Sequence, residues 1–340
     1  MGRSRWLQRR AVAALLAATA LLALGAAWLG YELDRPLQVE TPPQYLEVEQ
    51  GASLQGVIGE LRDRGWLSAP GALSARLYGH LSGIAGSLRT GEYAVEAEVS
   101  ARRLLRRIAA GEVVQHQLTI IEGWTFERLR RALREHEAVT YTLEGLETDA
   151  VMAELGLDGE HPEGRFFPTT YNFPRGTEDR RILRLAYRKM EEHLAAAWAQ
   201  RQPDLPLSGP HEALILASII EREAARPEDR REVAGVFTRR LERGMRLQSD
   251  PAVIYGLGDD HDGRLRRDNL RRDGPYNTYE RSGLPPTPIA LPGEASLEAS
   301  VDPAPGEALY FVARGDGTLQ FSATLEEHRA AVRRYILEEQ

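Results

Sequence analysis

Two glutamates follow an apolar segment in the second half of the chain. Residues 213–220 read ALILASII, a run that is apolar all round a helix, and Glu221 and Glu223 come directly after it. Such a helix is predicted to lie at the centre of a domain, because no face of it can be given to water. A carboxyl group at its end is costly unless it has a partner or a function. Partial desolvation raises the pKa of a carboxyl group, and a glutamic acid still protonated near neutral pH can act as a general acid.

The spacing of the two glutamates gives them different tasks. Residues two positions apart on a helix point about 200° apart, so both side chains cannot enter one cleft. We therefore expect one to be the acid and the other to be a structural partner, for example of an arginine. The alternative, that both glutamates simply begin a polar and exposed helix end, stays open on these residues alone.

Three loop-like segments carry side chains suited to a groove for sugars. They read EGRFFPTTYNFP (163–174), RLQSDPAVIYGLG (246–258) and YNTYERSGLPPTPIALPG (276–293). Such a groove needs flat aromatic faces and hydroxyl or amide donors on stiff loops, although each loop alone is also compatible with an ordinary turn-rich connection. The candidate substrate-binding residues are Thr170, Tyr171, Gln248, Asp250, Tyr276, Asn277, Thr278 and Tyr279.

Four motifs in a fixed order resemble one family of enzymes. They are ASIIEREA (217–224), GMRLQSDPAVIYG (244–256), YNTYERSGLPPTPIALPG (276–293) and YFVARGDGTLQFSATLEEH (310–328). With the N-terminal segments described below, they make nearly the whole chain similar to the endolytic murein transglycosylases, also called YceG-like proteins. The resemblance implies cleavage of the MurNAc–GlcNAc bond within nascent peptidoglycan strands, formation of 1,6-anhydro-MurNAc ends and a role in ending strand elongation.

The resemblance also implies a catalytic residue. The family's catalytic glutamate lies in the Glu-x-Glu of the first motif, and related lytic enzymes place the acid directly before a small residue. Glu223, which precedes Ala224, is therefore expected to be the catalytic acid, with Glu221 as the secondary candidate. Ala224 departs from the hydroxyl residue that is common there in relatives, so that side chain offers no hydrogen bond.

One carboxyl group is enough for the implied lyase mechanism. Glu223 protonates the leaving glycosidic oxygen and then, as a carboxylate, takes the proton from the MurNAc C6 hydroxyl group that attacks C1. A hydrolytic muramidase would instead need a second carboxylate within about 5–10 Å. Asp250 is a candidate for that position, and the residues alone leave the choice between lyase and hydrolase open.

Composition and spacing exclude several other kinds of chemistry. The chain has no cysteine, which excludes disulfides, thiolate catalysis and lipidation at an N-terminal cysteine. Its eight histidines form no HExxH or similar ligand spacing, so neither a metal nor another cofactor is expected. The stretch 259–263 is shorter than an EF-hand loop and lacks its terminal glutamate, and we interpret it as a turn.

The charge distribution separates the N-terminus from the rest of the chain. The net charge is −7, of which residues 1–35 contribute +3 and the remainder −10. An acidic main body argues against nucleic acid as a partner, because phosphate binding needs a basic face. Peptidoglycan strands and a membrane are the expected partners, and cell-wall synthases are further candidates.

The uncharged segment Ala11–Tyr31 predicts a transmembrane helix. Its residues rise about 1.5 Å each and together span roughly 30 Å, the thickness of a bilayer core. Four arginines precede the segment, and Glu32 and Asp34 follow it. The positive-inside rule therefore places residues 1–10 in the cytoplasm and the catalytic part on the periplasmic side of the inner membrane. The alternative is a cleaved signal peptide, whose apolar region has only about 7–15 residues.

The chain contains an internal repeat at a constant offset of 72 residues. Residues 46–61 (LEVEQGASLQGVIGEL) align with residues 118–133 (LTIIEGWTFERLRRAL). Each copy reads as a short strand, a glycine turn, a serine or threonine N-cap and an amphipathic helix. The first copy suggests a LysM-like unit, a small domain that binds glycan, whereas a common strand–turn–helix arising twice is the simpler alternative.

Together these segments predict an α+β protein with one transmembrane helix, a LysM-like domain and a helical catalytic domain with a small β-sheet. The expected parts are a tail (1–10), the helix (11–31), a linker (32–44), the LysM-like domain (45–115) and the catalytic domain (116–340). A competing interpretation is a non-enzymatic wall-binding scaffold. The buried-helix glutamate and the aromatic loops favour the enzyme, because a scaffold would need neither.

Periodicity predicts the individual elements. A strand is expected over 92–99 and a helix after Ser100; further helices are expected at 180–201, 211–225 and 230–243. Residues 245–289 read as a loop-rich stretch, followed by a β-hairpin at 308–323 and a final helix from about Leu325.

Overall fold

The computed structural model of the chain describes residues 2–258 and 264–337. The chain divides into two compact units: unit 1 is Met1–His116 with Phe173–Arg175, and unit 2 is Gln117–Asn172 with Gly176–Gln340. Helices and strands occur in both units, so the expected mixture of α and β structure is confirmed. The turn expected at 259–263 lies outside the described residues.

Unit 1 begins with a long helix and continues as a two-stranded sheet covered by helices. Its elements are α1 (Gly2–Asp34), β1 (Gln44–Val48), α2 (Leu54–Asp63), α3 (Ala69–Leu81), β2 (Gly91–Val95) and α4 (Ala101–Ala110). β1 and β2 pair antiparallel with Leu46 opposite Tyr93, and both side chains are fully buried. Ile58 of α2 and Leu104 of α4 complete the same apolar core.

Helix α1 is long and apolar enough to cross a membrane. This property holds for Arg9–Asp34, and the most apolar window of that stretch has no buried residues. Leu15, Leu22 and Leu24, for example, are each about two-thirds exposed or more. Length and composition therefore agree with a single-pass anchor.

The segment after α1 is not a linker, contrary to the expectation for residues 32–44. Leu33 and Leu37 are both 4% exposed and belong to the core of unit 1. The backbone amide of Leu37 donates to the carbonyl of Val99, which fixes the segment on the domain. Burying a leucine side chain stabilises the folded state by about 1.5–3 kcal/mol. For two leucines this outweighs the conformational entropy that a solvated linker would keep. Helix α1 therefore runs directly into the core of unit 1.

The 72-residue repeat has the same local structure in both copies. In the second copy, β3 (His116–Thr119) and α5 (Phe126–Glu135) correspond to β1 and α2 of the first. Gly51 and Gly123 have φ angles of 82° and 78°, a left-handed conformation that glycine adopts without steric cost. The hydroxyls of Ser53 and Thr125 each accept a hydrogen bond from the third amide of the following helix, as the predicted N-caps require.

Unit 2 is mainly helical. Besides α5 it contains α6 (Thr148–Leu155), α7 (Asp179–Ala199), α8 (Pro210–Glu223), α9 (Pro227–Glu242), α10 (Asp250–Leu257), α11 (Arg267–Arg271), α12 (Glu294–Val301) and α13 (Leu325–Val332). Its described strand pairs are β3 with β5 (Thr170–Phe173), β4 (Val139–Thr140) with β6 (Thr177–Glu178), and β7 (Tyr310–Ala313) with β8 (Leu319–Ser322). Several two-stranded sheets thus replace the single small sheet that was expected.

Helix α8 lies at the centre of unit 2, as its sequence predicts. Every residue from 213 to 220 is buried, and the helix packs against α7, α9, α10 and α12. Pro210 begins the helix, where the amide hydrogen that proline lacks would have no helical partner. The backbone becomes extended at Ala224, so Glu223 is the last helical residue and lies at the edge of the core.

The remaining predicted elements are mostly confirmed. Helices α4, α7, α9 and α13 and the β7–β8 hairpin lie within a few residues of the expected positions. The loop-rich interpretation of 245–289 is wrong in part, because α10 and α11 lie there. Ser249 caps α10 through its side chain and Pro251 stands in the first turn, both recognised helix-start signals. The strand expected over 92–99 ends at Val95, because the amide of Val99 closes a turn onto the carbonyl of Glu96.

Candidate active site

Glu223 lines a cavity of about 550 Å³ in unit 2. Three of the candidate substrate-binding residues, Gln248, Asp250 and Tyr279, lie on the same wall. The other wall residues are Arg240, Leu247, Tyr310, Phe311, Val312, Ala313, Leu319, Leu325, His328 and Ile336. Residues from the second, third and fourth motifs therefore meet around the carboxyl group supplied by the first.

The surroundings of Glu223 favour its protonated form. Burial raises the pKa of the Glu223 carboxyl from 4.5 to about 7, and the negative charge of Asp250 acts in the same direction. The Ser249 hydroxyl, which hydrogen-bonds to the carboxyl, and the positive charge of Arg240 lower that pKa by smaller amounts. Near pH 7 roughly half of the molecules therefore carry a proton on Glu223. A carboxyl group in this state can both donate and accept a proton.

Glu221 has a different environment, in which both of its carboxylate oxygens accept hydrogen bonds. Its Oε1 lies 2.8 Å from Nη2 of Arg230, and the two side chains are only 5% and 7% exposed. Its Oε2 accepts hydrogen bonds from the amide of Gly293 at 3.0 Å and from the hydroxyl of Ser296 at 2.8 Å. Glu221 thus ties α8 to α9 and to the start of α12. These contacts give Glu221 a structural task, and of the two glutamates only Glu223 lines the cavity.

An uncommon backbone conformation presents Gln248 to the cavity. Its φ angle of 54° lies in the left-handed region, which costs a residue other than glycine roughly 1–2 kcal/mol. Thr278 holds this segment: its carbonyl accepts from the amide of Gln248 at 3.1 Å, and its hydroxyl accepts from the amide of Ser249 at 2.8 Å. Thr278 is itself only 2% exposed, so it supports the wall from behind.

Asp250 and Tyr279 form a hydrogen-bonded pair on the cavity wall. The Tyr279 hydroxyl donates to Oδ1 of Asp250 at 2.6 Å, a distance typical of a bond to an ionised acceptor. Burial, followed by this hydrogen bond, raises the pKa of the Tyr279 hydroxyl, so it remains a donor. The pair places a negative charge and an aromatic ring beside Glu223.

Arg240 supplies a positive charge to the same cavity from α9. It is 6% exposed, and its Nε donates to the carbonyl of Leu309 at 2.7 Å. Its Nη1 donates to the carbonyl groups of Leu247 at 2.6 Å and Arg246 at 3.3 Å. Carbonyl groups orient the guanidinium group but do not neutralise it, so its charge acts on the cavity contents and on Glu223.

Four other candidate substrate-binding residues lie away from the cavity wall. Asn277 is 4% exposed and donates its amide hydrogens to the carbonyl groups of Leu270 and Arg272. The Tyr276 hydroxyl lies 2.8 Å from that of Thr287. Side chains in turn-rich loops commonly hydrogen-bond to nearby backbone in this way. These two residues shape the 276–293 loop instead of facing the cavity.

Thr170 and Tyr171 belong to β5 and also lie outside the cavity. The Tyr171 side chain is 2% exposed, and its hydroxyl donates to the carbonyl of Phe167 at 2.6 Å. The exposed Thr170 hydroxyl lies 2.9 Å from that of Thr119 on the paired strand β3. Residues 163–172 of the aromatic loop therefore contribute to the body of unit 2.

A further buried carboxyl group, Glu163, was not singled out in the sequence. It is 3% exposed, and burial raises its pKa to about 7. It accepts a hydrogen bond at 3.0 Å from the amide of Phe126, the first residue of α5, and another from the Tyr255 hydroxyl. Its position at the start of the aromatic loop 163–174 could have marked it as a candidate. Glu163 does not line the cavity that contains Glu223.

Two residues of the cavity wall, Arg240 and Tyr310, were also missed as candidates, as was Ser249, which hydrogen-bonds to Glu223. Ser249 stands directly between Gln248 and Asp250, so its neighbours were a usable signal. Arg240 lies among other arginines on an amphipathic helix, and Tyr310 begins a hairpin strand, so no local pattern distinguishes them. Within residues 2–258 and 264–337, no three histidine, aspartate or glutamate side chains are grouped so that they could hold a metal ion.

Comparison with known proteins establishes the family. The model of the YceG-like family matches residues 46–334, which include parts of both units. This chain belongs to the YceG-like family. The membership expected from the four motifs is thereby confirmed.

Relatives with a curated name give the same picture. The endolytic murein transglycosylase of Bacillus subtilis (strain 168) is 28% identical over 334 residues, covering 93% of this chain and 91% of the relative. That of Streptococcus pneumoniae serotype 2 is 27% identical over 285 residues, covering 73% of this chain but 51% of the relative. This chain thus spans about half the length of the pneumococcal protein.

A solved structure is also similar. The crystal structure of a YceG-like protein from Listeria monocytogenes shares 28% identity with this chain at a TM-score of 0.54. The superposition covers 84% of this chain and 98% of that protein. Sequence and fold therefore point to the same family over most of the chain.

Proposed function

We propose that this chain cleaves peptidoglycan glycan strands as an endolytic murein transglycosylase. The observation that carries the proposal is the position of Glu223, a carboxyl group with a pKa of about 7 at the end of a buried helix, on the wall of a cavity that also presents Arg240, Asp250 and Tyr279. The similar proteins of Bacillus subtilis and Streptococcus pneumoniae bear that name. A lyase that breaks a glycosidic bond needs one such group and no cofactor.

Glu223 serves as acid and then as base. Its carboxyl proton passes to the glycosidic oxygen as the bond from MurNAc C1 to that oxygen breaks. The carboxylate then takes the proton of the MurNAc C6 hydroxyl group as the oxygen of this hydroxyl group bonds to C1. The products are a 1,6-anhydro-MurNAc end and a GlcNAc end with a free hydroxyl, and Glu223 is protonated again without consuming water.

The other wall residues assist Glu223. The charge of Arg240 stabilises the carboxylate that exists between the two proton transfers. The charge of Asp250 faces the positive charge that develops on the sugar ring, and Tyr279 fixes the position of Asp250. Gln248 offers amide donors and acceptors for sugar hydroxyl groups.

A hydrolytic muramidase is the second candidate, and Asp250 is the observation that favours it. Asp250 lines the same cavity as Glu223, which is the arrangement of two carboxyl groups that glycosidases use. In that mechanism Asp250 would activate a water molecule or attack C1. The two candidates differ in their products, because only hydrolysis places a water oxygen on the new sugar end.

Digestion of purified sacculi in ¹⁸O-labelled water, followed by mass spectrometry of the muropeptides, tests the proposal. We expect anhydro ends without ¹⁸O; reducing ends that carry ¹⁸O would show a hydrolase. Glu223→Gln keeps the shape of the side chain but cannot donate the proton, so activity should fall by at least about 10²-fold. Glu221→Gln is the matched control on the same helix. Full activity of Glu223→Gln would contradict the proposal.

We propose further that Ala11–Tyr31 is a retained, single-pass anchor with residues 1–10 in the cytoplasm. The described helix continues unbroken to Asp34 and enters the core of unit 1, which supports retention. N-terminal sequencing of the membrane-extracted protein should find residues that precede Ala11. A mature chain that starts near Trp28 would contradict the anchor.

Unit 1 is proposed to be a LysM-like module that binds glycan. The order β1–α2–α3–β2 with antiparallel strands supports this assignment. The inactive Glu223→Gln chain leaves sacculi intact and can be used to measure binding. Removal of residues 33–115 from that chain should weaken its retention on sacculi, and unchanged retention would confine glycan recognition to unit 2.

A further inference from the structure

The apolar core of unit 1 begins where helix α1 leaves its apolar segment. Tyr31 is the last residue of the uncharged segment, and Leu33 already belongs to the core of unit 1. Two helical residues rise about 3 Å, whereas the headgroup layer on each side of a bilayer is roughly 5–8 Å thick. No spacer therefore fits between membrane and domain, and one surface of unit 1 must face the lipid headgroups.

Helix α3 packs beside the last turn of α1, where the apolar segment ends. Ser68, the N-cap of α3, donates to Glu32 at 3.1 Å. Ten residues further along α3, the ring of Tyr78 lies 4.9 Å from the guanidinium carbon of Arg102. Arg102 in turn binds Asp34 through two hydrogen bonds of 2.7 and 3.1 Å. Both ends of this stretch of α3 are thus within reach of the last turn of α1.

Helix α3 exposes three leucines on one face. Leu73, Leu77 and Leu81 are 58%, 48% and 80% exposed, and their spacing of four places them side by side along the helix. The opposite face, with Ala75 and Gly79, is buried in unit 1. A continuous apolar face of this kind on a domain surface marks an interaction site.

The surface beside these leucines is basic. Helices α3 and α4 contain five arginines and no acidic residue, although the chain beyond residue 35 carries a net charge of −10. Arg103 and Arg106 are exposed, and Nε of Arg106 donates at 2.8 Å to the hydroxyl of Tyr78, the neighbour of Leu77. Basic residues that border an apolar stripe are typical of helices that lie in the bilayer interface. Arginines there are attracted to anionic headgroups.

We propose that α3 seats unit 1 on the membrane surface, with Leu73, Leu77 and Leu81 inserted among the lipids. The occupant of this face is the bilayer itself, since the face adjoins the helix that enters it. The inference rests on the proposed membrane anchor. Two helices, α1 across the bilayer and α3 along its surface, then hold unit 1 in one orientation to the membrane.

The absence of cysteine makes this inference directly testable in the full chain. Three single-cysteine variants, Leu22→Cys in α1, Leu77→Cys in α3 and Arg62→Cys on α2, replace exposed side chains and each carry one environment-sensitive fluorophore. The labelled proteins are reconstituted in vesicles that contain anionic phospholipid. Nitroxide-labelled lipid quenches a fluorophore in the bilayer, and iodide quenches one in water.

We expect lipid quenching and blue-shifted emission at positions 22 and 77, and iodide quenching at position 62. A label at 77 that is quenched by iodide, while the label at 22 is quenched by lipid, would overturn the inference and leave the anchor intact. A label at 77 that is shielded from both quenchers would show that protein covers the face, which also overturns it. A label at 22 quenched by iodide would overturn the anchor and the inference together.

Discussion

Raising the pH above neutrality should inactivate the enzyme through Glu223. The carboxyl group must be protonated to donate to the glycosidic oxygen, and burial holds its pKa at about 7 instead of the ordinary 4.5. At pH 7, roughly half of the molecules are then competent, whereas about 0.3% would be with the ordinary pKa. The environment of α8 therefore raises the competent fraction by about 150-fold.

The protonated fraction sets the expected pH dependence. It falls about fivefold from pH 7 to pH 8 and about fiftyfold from pH 7 to pH 9. We therefore expect kcat/KM, measured as release of anhydromuropeptides from purified sacculi at constant ionic strength, to decline with a limb centred near pH 7. The position of that limb reports the pKa of the free enzyme.

Glu163 provides the matched control, because burial raises its pKa to about 7 as well. Glu163→Gln should leave the limb in place, whereas Glu223→Gln should remove the activity at every pH. Circular dichroism at each pH separates inactivation from unfolding. A limb centred below pH 5, constant activity up to pH 9, or a limb that disappears with Glu163→Gln would refute the assignment of the pKa to Glu223.

Three further substitutions test neighbouring parts of the structure. Asp250→Asn removes a charge that raises the pKa of Glu223, so the limb of kcat/KM should move to lower pH; an unmoved limb would mean that Asp250 does not act on Glu223. Among the described residues, Glu221→Gln leaves the buried Arg230 with the half-exposed Glu122 as its acidic partner, which should cost about 3 kcal/mol in urea unfolding while the rate per folded molecule changes little. Burial raises the pKa of Glu163 from 4.5 to about 7 in the folded state. Between these two pH values the folded state therefore binds more protons than the unfolded state. The free energy of unfolding should therefore fall as pH rises through that window. Glu163→Gln should remove at most roughly 3 kcal/mol of this fall, measured by urea unfolding between pH 5 and pH 8. The same dependence on pH in the wild type and in Glu163→Gln would contradict this linkage.

Local patterns in the sequence were sufficient to predict many of the helices and strands. The length of Ala11–Tyr31, the apolar run 213–220 and the caps Ser53, Ser100 and Thr125 each depend on residues only a few positions apart. The 72-residue repeat likewise depends on matching local signals, and both copies have the same turn and helix start. The four motifs were enough to identify the family, because specific residues in a fixed order are a property of the sequence itself.

Tertiary structure decided which side chains act together. The sequence left Leu33 and Leu37 in a linker, but the core of unit 1 encloses them, because burial depends on what a side chain meets. The difference between Glu221 and Glu223 follows from Arg230, Gly293 and Ser296, which reach Glu221 from other elements.

The cavity itself has the same origin. Glu223, Arg240, Asp250, Tyr279 and Tyr310 come from a helix end, a second helix, a helix start, a loop and a hairpin. Helical periodicity shows which face of each element is buried, but not which partner covers it. The chemistry of Glu223 depends on desolvation and on charges brought from distant positions, so the sequence named the carboxyl group and only the packed structure set its pKa.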